Sequence, residues 1–269
     1  MAGNQLAVVL DAADLDTQTM QAIARETNFS ETTFVCERTS TGARVRIFTP
    51  THELPFAGHP TLGTAWVISQ LECNPPASDI TLQLGVGDVP VQIDFQSDIV
   101  WLEAPAVRFG EGISVQSAAK LLNLEENDFL TSAFPIQSAT AGPSFQLIAI
   151  RNRDALGSCR INTDAFMEFQ AQGDGVQGLF VFTPDGYGQA SDFAARMFFE
   201  ADGVREDPAT GSANCCFAAY LQVHAPDIAT AIVDQGVEMG RPSTIYLQLA
   251  DVNRVGGKVQ HVFSGELHL

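Results

Sequence analysis

The feature that most constrains this 269-residue chain is that its second half partly repeats its first. Leu6-Ala7-Val8-Val9 returns as Leu147-Ile148-Ala149-Ile150, and Phe34-Val35 as Phe180-Val181. Arg46-Ile47-Phe48 returns as Arg196-Met197-Phe198. Glu53-Leu54-Pro55-Phe56-Ala57-Gly58-His59 aligns with Glu206-Asp207-Pro208-Ala209-Thr210-Gly211-Ser212, and a helix of apolar and small residues follows each. Any one match is weak, but four in the same order point to duplication. Two similar α+β lobes facing each other would place the paired glycine turns at a shared cleft.

Local patterns fill in the repeat. Leu6–Leu10 reads as a strand ended by the turn-forming Asp11-Ala12-Ala13-Asp14. Met20, Ile23, Ala24 and Thr27 fall on one face of a helix over 17–27, with Asp16 as its N-cap. Residues 32–37, 44–48 and 99–102 read as strands. Residues 104–112 carry proline and glycine and read as a linker, Ser114 caps a helix through Leu122, and a second strand-rich region begins near Phe145. The expected division is a first lobe over 1–104 and a second over 105–257, with 258–269 returning to the first.

Composition excludes several classes of function. A formal charge of −18 opposes a phosphate backbone, so nucleic acid is not expected as a partner. No apolar run approaches the ~20 residues needed to cross a bilayer, and the opening Met1-Ala2-Gly3-Asn4-Gln5 lacks the pattern of a secretory signal. The five cysteines form no C-x-x-C pair and fit a reducing cytoplasm. The five histidines show no metal-ligand spacing, so no metal is expected. Gly58-x-x-x-x-Gly63-Thr64 has the spacing of a phosphate-binding loop but lacks its lysine.

The paired turns are the candidate site. Pro60 suits the first turn of a helix over 61–70, and Gly211-Ser212 opens another over 213–223. Two such starts in one cleft would offer bare amides to a carboxylate. Glu31, His59 and Asp207 stand near them as proton-moving groups. Glu31 is matched by Gln177 in the Phe34/Phe180 register, so the acid is not repeated and the cleft is asymmetric. Enclosure between lobes would push a carboxyl's pKa upward, toward the range a general acid/base needs. The plainer reading makes Glu31 a solvated turn residue and His59 a helix-entry residue bonded to its own backbone.

Several stretches together resemble the phenazine-biosynthesis PhzF family: Gly3–Val9, Asn28–Phe34, Arg46–Pro50, Glu53–Thr64, Glu206–Ala213 and Gly240-Arg241-Pro242-Ser243. The resemblance runs through Val255-Gly256-Gly257 to Ser264-Gly265-Glu266-Leu267, and Glu-Leu-Pro-Phe-Ala-Gly-His-Pro is its most specific run. It implies the diaminopimelate epimerase-like fold, two pseudo-twofold lobes each with a β-barrel-like sheet around a central helix. It also implies an isomerase without metal or organic cofactor that moves a proton within a small carboxylate-bearing molecule. By this likeness Glu31 is the proton shuttle and His59 and Asp207 assist it. Ser30, Gly58, Gly211 and Ser212 hold the substrate, chiefly its carboxylate. Distant members of the fold use two cysteine thiols where this chain has Ala57 and Thr210, so that chemistry is closed to it. The family's opening strand before Gly-Asn is missing here, which predicts an exposed sheet edge and leaves homodimerisation open. Two rivals remain: a silent small-molecule binding protein, and a racemase pairing Glu31 with Asp207.

Overall fold

The apolar run Leu6–Val9 forms strand β1, and helix α1 (Thr17–Thr27) begins and ends on local side-chain chemistry. Asp16 accepts from the Thr19 amide at 2.8 Å, as its N-cap position predicts. At the other end Asn28 turns left-handed, with φ 51°, and its amide donates to the Ala24 carbonyl. Met20, Ile23 and Ala24 of the predicted face are buried. The computed structural model describes residues 2–171, 175–200 and 204–268.

The first half continues through β2 (Glu31–Thr39), β3 (Gly42–Phe48), β4 (Glu53–Leu54), α2 (Gly58–Val67), β5 (Asp79–Leu84), β6 (Gly87–Asp94) and β7 (Ile99–Glu103). The second runs β8 (Arg108–Gly110), α3 (Val115–Leu122), β9 (Gln137–Thr140), β10 (Ser144–Ala149), α4 (Arg153–Ser158) and α5 (Thr163–Ala171). It then continues β11 (Gly178–Thr183), β12 (Phe193–Glu200), β13 (Val204–Asp207), α6 (Gly211–His224), β14 (Thr230–Gln235), β15 (Ser243–Gln248) and β16 (Arg254–Gly257).

The strands join one mixed sheet, so the fold is α+β, and the pairing repeats between the halves. β1 with β2 and β10 with β11 run parallel, as do β3 with β5 and β12 with β14. The halves meet in the middle, where β7 and β16 pair antiparallel. Helix α2 rests on β1, β2, β5, β6 and β7, and α6 on β9, β10, β15 and β16. Most of both helices is buried, which their lack of charge anticipates, although α6 ends exposed at Gln222 and Val223. Apolar burial over a core of this extent is the main stabilising term. Beyond β16, the His261 ring lies 6.5 Å from that of Trp66 on α2.

Three details depart from the sequence reading. The stretch 104–112 is not all linker, because Arg108–Gly110 pairs as β8 with β9. The helix expected over 61–70 begins earlier, at Gly58, and loosens into a π turn over Ile68–Glu72. The apolar runs of the two copies are also offset. Strand pairing sets Glu53 against Phe48 and Glu206 against Phe198, Arg46 against Phe34, and Arg196 against Val181. Carried on to β1 and β10, this matches Leu6 with Phe145 rather than Leu147. At the sheet's end, β10 has β9 on its outer side; beside β1 there is no such neighbour among the described residues.

Candidate active site

Helices α2 and α6 start against each other, and glycine is what lets them. A Cβ on Gly58 would stand 2.7 Å from the Cα of Gly211, and one on Gly211 would stand 2.9 Å from the Cα of Gly58. Neither helix start has a side-chain cap, and neither has an acidic residue in its first turn. Two positive helix ends therefore converge without an internal counter-charge. Their N-caps are Ala57 and Thr210, and the Thr210 hydroxyl is turned away to donate to Asp207.

Around this junction the chain gathers its polar groups. Glu31 opens β2, and its Oε2 lies 3.3 Å from Nε2 of His59, the second residue of α2. Both atoms are buried, and neither has a hydrogen-bond partner of good geometry. A buried acceptor facing a buried ring nitrogen out of alignment is costly unless something else satisfies both. Asp207, at the end of β13, accepts from Asn4 Nδ2 at 2.8 Å as well as from Thr210. Gln235, fully buried at the end of β14, donates to the Asp207 carbonyl at 2.8 Å and to the Thr210 hydroxyl at 3.0 Å. Ser30 donates to Asn4 Oδ1 at 2.8 Å.

Desolvation governs the protonation states. Burial, reinforced by the nearby charge of Asp207, pushes Glu31 from its ordinary 4.5 up to about 8. Burial lowers His59 to about 4, against a backbone hydrogen bond with Gln5 that favours the charged form. Asp207 is raised to about 6 by burial, although Thr210 and Asn4 donate to it. At neutral pH the Glu31–His59 contact is thus a neutral acid beside a neutral imidazole, not an ion pair. The thiols are no substitute: Cys215 and Cys216 are buried within α6, and burial drives Cys216 up to about 12 and Cys215 higher still.

All seven residues singled out from the sequence meet here, with Ser212 reaching the junction through its amide, 3.2 Å from where a Gly58 Cβ would stand. The hydrogen-bonding parts played by Asn4, Thr210 and Gln235 emerge only from the folded geometry. The same register that offsets the apolar runs also corrects the partner of Glu31. Its structural mate is Gly178, one residue on from the expected Gln177. A Cβ at Gly178 would come within 2.6 Å of the Phe198 carbonyl oxygen, so the second copy has no room for an acid there.

The fold is shared with the solved PhzF-family phenazine biosynthesis protein of Bacillus anthracis, at TM-score 0.84 and 24% identity over 96% of this chain and 91% of that one. It extends more distantly to a probable proline racemase of Agrobacterium radiobacter, at TM-score 0.57 and 12% identity over 94% of this chain and 84% of that one. In sequence the chain is 34% identical to an uncharacterized isomerase of Mesorhizobium japonicum, over the whole of this chain and 95% of the relative. It is also 34% identical to the trans-2,3-dihydro-3-hydroxyanthranilate isomerase of Pseudomonas aeruginosa, over 91% of this chain and 84% of that enzyme. The profile of the phenazine biosynthesis-like proteins matches residues 1–265, and the chain belongs to that family. Its relatives are named isomerases, and it is an enzyme of that class. Among the described residues no helix is long and apolar enough to cross a membrane.

Proposed function

We propose that the chain is a cofactor-independent isomerase that moves a proton within a small carboxylate-bearing substrate, with Glu31 as the general acid/base. The observation that carries this reading is the pair of buried, unpartnered atoms, Glu31 Oε2 and His59 Nε2, 3.3 Å apart beside the junction of α2 and α6. Ionised Glu31 takes a proton from a substrate carbon as the double bond shifts. The resulting acid returns the proton to a second carbon on the same face, so formula and charge are unchanged. His59, neutral and within reach of Glu31, orients the carboxyl or donates to the substrate, and Asp207 holds the opposite wall. The helix starts at Gly58 and Gly211-Ser212 take the substrate carboxylate. Because burial keeps Glu31 largely protonated, an anionic substrate enters without facing a second full negative charge there.

The test is solvent exchange. In deuterated buffer, trans-2,3-dihydro-3-hydroxyanthranilate and a panel of amino and hydroxy acids are followed for deuterium incorporation by mass spectrometry. Wild-type protein is expected to incorporate deuterium into its substrate. Glu31→Gln should lose about 10²–10⁴ of that rate while still binding, the range typical of a positioned acid/base. Binding without exchange by the wild type would favour a silent binding protein. The raised pKa values of both Glu31 and Asp207 favour one other reading, a racemase that uses the two carboxyls from opposite sides. Inversion at a single stereocentre, without double-bond migration, would identify it.

A further inference from the structure

The hydrogen bonds that Gln235 and Thr210 make run in fixed directions, set by the backbone groups around them. Gln235 accepts from the Thr210 amide at 3.2 Å through Oε1 and donates to the Asp207 carbonyl at 2.8 Å through Nε2. A backbone amide can only donate and a carbonyl can only accept, so the glutamine cannot be turned round. Its second Nε2 hydrogen goes to the Thr210 hydroxyl, at 3.0 Å. That makes the hydroxyl an acceptor on one side and leaves its single hydrogen for Asp207 Oδ2, to which it donates. Asn4 Nδ2 donates to the other oxygen, Oδ1, at 2.8 Å. Both carboxylate oxygens of Asp207 are thus acceptors, an arrangement that favours the ionised form.

The other copy shows that the fold itself does not need these bonds. Glu53 pairs with Phe48 as Glu206 pairs with Phe198, so Asp207 corresponds to Leu54 and Thr210 to Ala57. The parallel pairings of β3 with β5 and β12 with β14 carry that register on, and Gln235 corresponds to Leu84. The glycines that follow agree. A Cβ on Gly85 would stand 2.8 Å from the Cα of Pro55, and one on Gly236 2.8 Å from the Cα of Pro208. All three positions are apolar in one copy and polar in the other, although both copies run from strand through turn to helix. The polar set therefore accompanies the acid, not the turn. We propose that Gln235 is a positioning residue that orients the Thr210 hydroxyl and so holds Asp207 as an acceptor-only carboxylate near Glu31. The charged neighbours of Asp207 are Glu31 on β2 and Glu206 on its own strand, both acids, while the nearby His59 of α2 is neutral. The donated bonds work against burial and that repulsion, and the anion they sustain adds to burial in keeping the proton on Glu31. This deepens the isomerase reading and rests on it only for the effect on catalysis.

The experiment follows the side-chain carboxyl carbons of ¹³C-labelled aspartate and glutamate by NMR as pH is raised, on the full chain without substrate. Asp207→Asn and Glu31→Gln identify the two signals. Thr210→Ala and Gln235→Leu introduce what the first copy already has at Ala57 and Leu84, so the backbone accommodates both. Unchanged signals from the distant carboxyls report that each variant is folded. Wild-type Asp207 should titrate at about 6. Thr210→Ala should raise that midpoint by about one unit, as the loss of a hydrogen bond to the charged form requires. Gln235→Leu should raise it by less, because the hydroxyl remains but is free to turn away. Thr210→Ser keeps the hydroxyl and should titrate as the wild type does, a rescue that a packing role would not produce. An Asp207 midpoint that Thr210→Ala or Gln235→Leu leaves unmoved overturns the proposal, as does a Thr210→Ser variant that behaves like Thr210→Ala. In deuterium exchange, both variants should bring the midpoint of the pH profile below about 8, since a protonated Asp207 no longer repels the charge of Glu31. A chain that exchanges no deuterium would sink the isomerase reading, while the carboxyl titrations, which need no turnover, still decide the part of Gln235.

Discussion

Glu31 would be ionised in water at neutral pH, and where it sits it largely keeps its proton. Water is excluded from its buried Oε2, and Asp207 adds a second negative charge nearby, so the group keeps its proton until about pH 8. The proposed first step needs the ionised form, and at pH 7 only about a tenth of the molecules have it. The sign follows: kcat/KM should rise with pH and level off above about 8. His59, lowered to about 4, stays neutral across that range and contributes no limb of its own. Initial rates of deuterium exchange between pH 6 and 9 measure this directly. A rate that is flat or falling through that interval would remove Glu31 as the base.

At the scale of elements, the duplicated turns are held by a duplicated clamp. Arg46 grips Glu53 through Nε and a terminal nitrogen at 2.7 and 2.6 Å, bridging β3 to β4 just before α2. Arg196 grips Glu206 in the same two-pronged way at 2.8 and 2.7 Å, bridging β12 to β13 just before α6. The glutamates that mark the repeat in the sequence therefore tie down the strand ends that feed the two helix starts. Their environments differ. The first pair is partly exposed, whereas the Arg196 side chain is only 7% exposed and also donates to the carbonyls of Leu156 and Cys159. Removing one partner of a buried pair leaves an uncompensated charge, so Glu206→Gln should cost about 3–5 kcal/mol. Glu53→Gln should cost about 0–1 kcal/mol, the worth of an exposed pair. Urea denaturation of the two variants checks the contrast, and equal losses would contradict it. The helix starts themselves are tested by Gly58→Ala. The added methyl must push two helix backbones apart, which should cost about 1–3 kcal/mol and weaken binding of carboxylate ligands measured by calorimetry.

At the scale of the whole molecule, the duplication was legible because corresponding strands and turns still use similar residues in the same order. The helix at 17–27, its Asp16 cap and the Ser114 cap were legible because their signals are local. Register was not: short apolar runs such as Leu6–Val9 match equally well at several offsets, and only hydrogen-bonded pairing fixes one. The bridge from Asn4 to Asp207 was hidden for a related reason, since it joins residues 203 apart with no periodicity between them. Burying acids at the meeting point of two halves also has a thermodynamic price that the whole fold bears. The folded state prefers protonated Glu31, because its pKa is about 8 there against an ordinary 4.5. Its contribution is therefore fully favourable below about pH 4.5, shrinks as pH rises, and is lost above about 8. Glutamine has no proton to lose, so Glu31→Gln should gain stability on the wild type as pH increases. The gain should be small at pH 4, grow through 7 and level off near 9, on the order of 5 kcal/mol there. Unfolding curves in urea at pH 4, 7 and 9 would show the two midpoints diverging. Curves that stay parallel would mean that Glu31 ionises in the folded protein as freely as in water, and the enclosed acid on which the proton-shuttle chemistry depends would not exist.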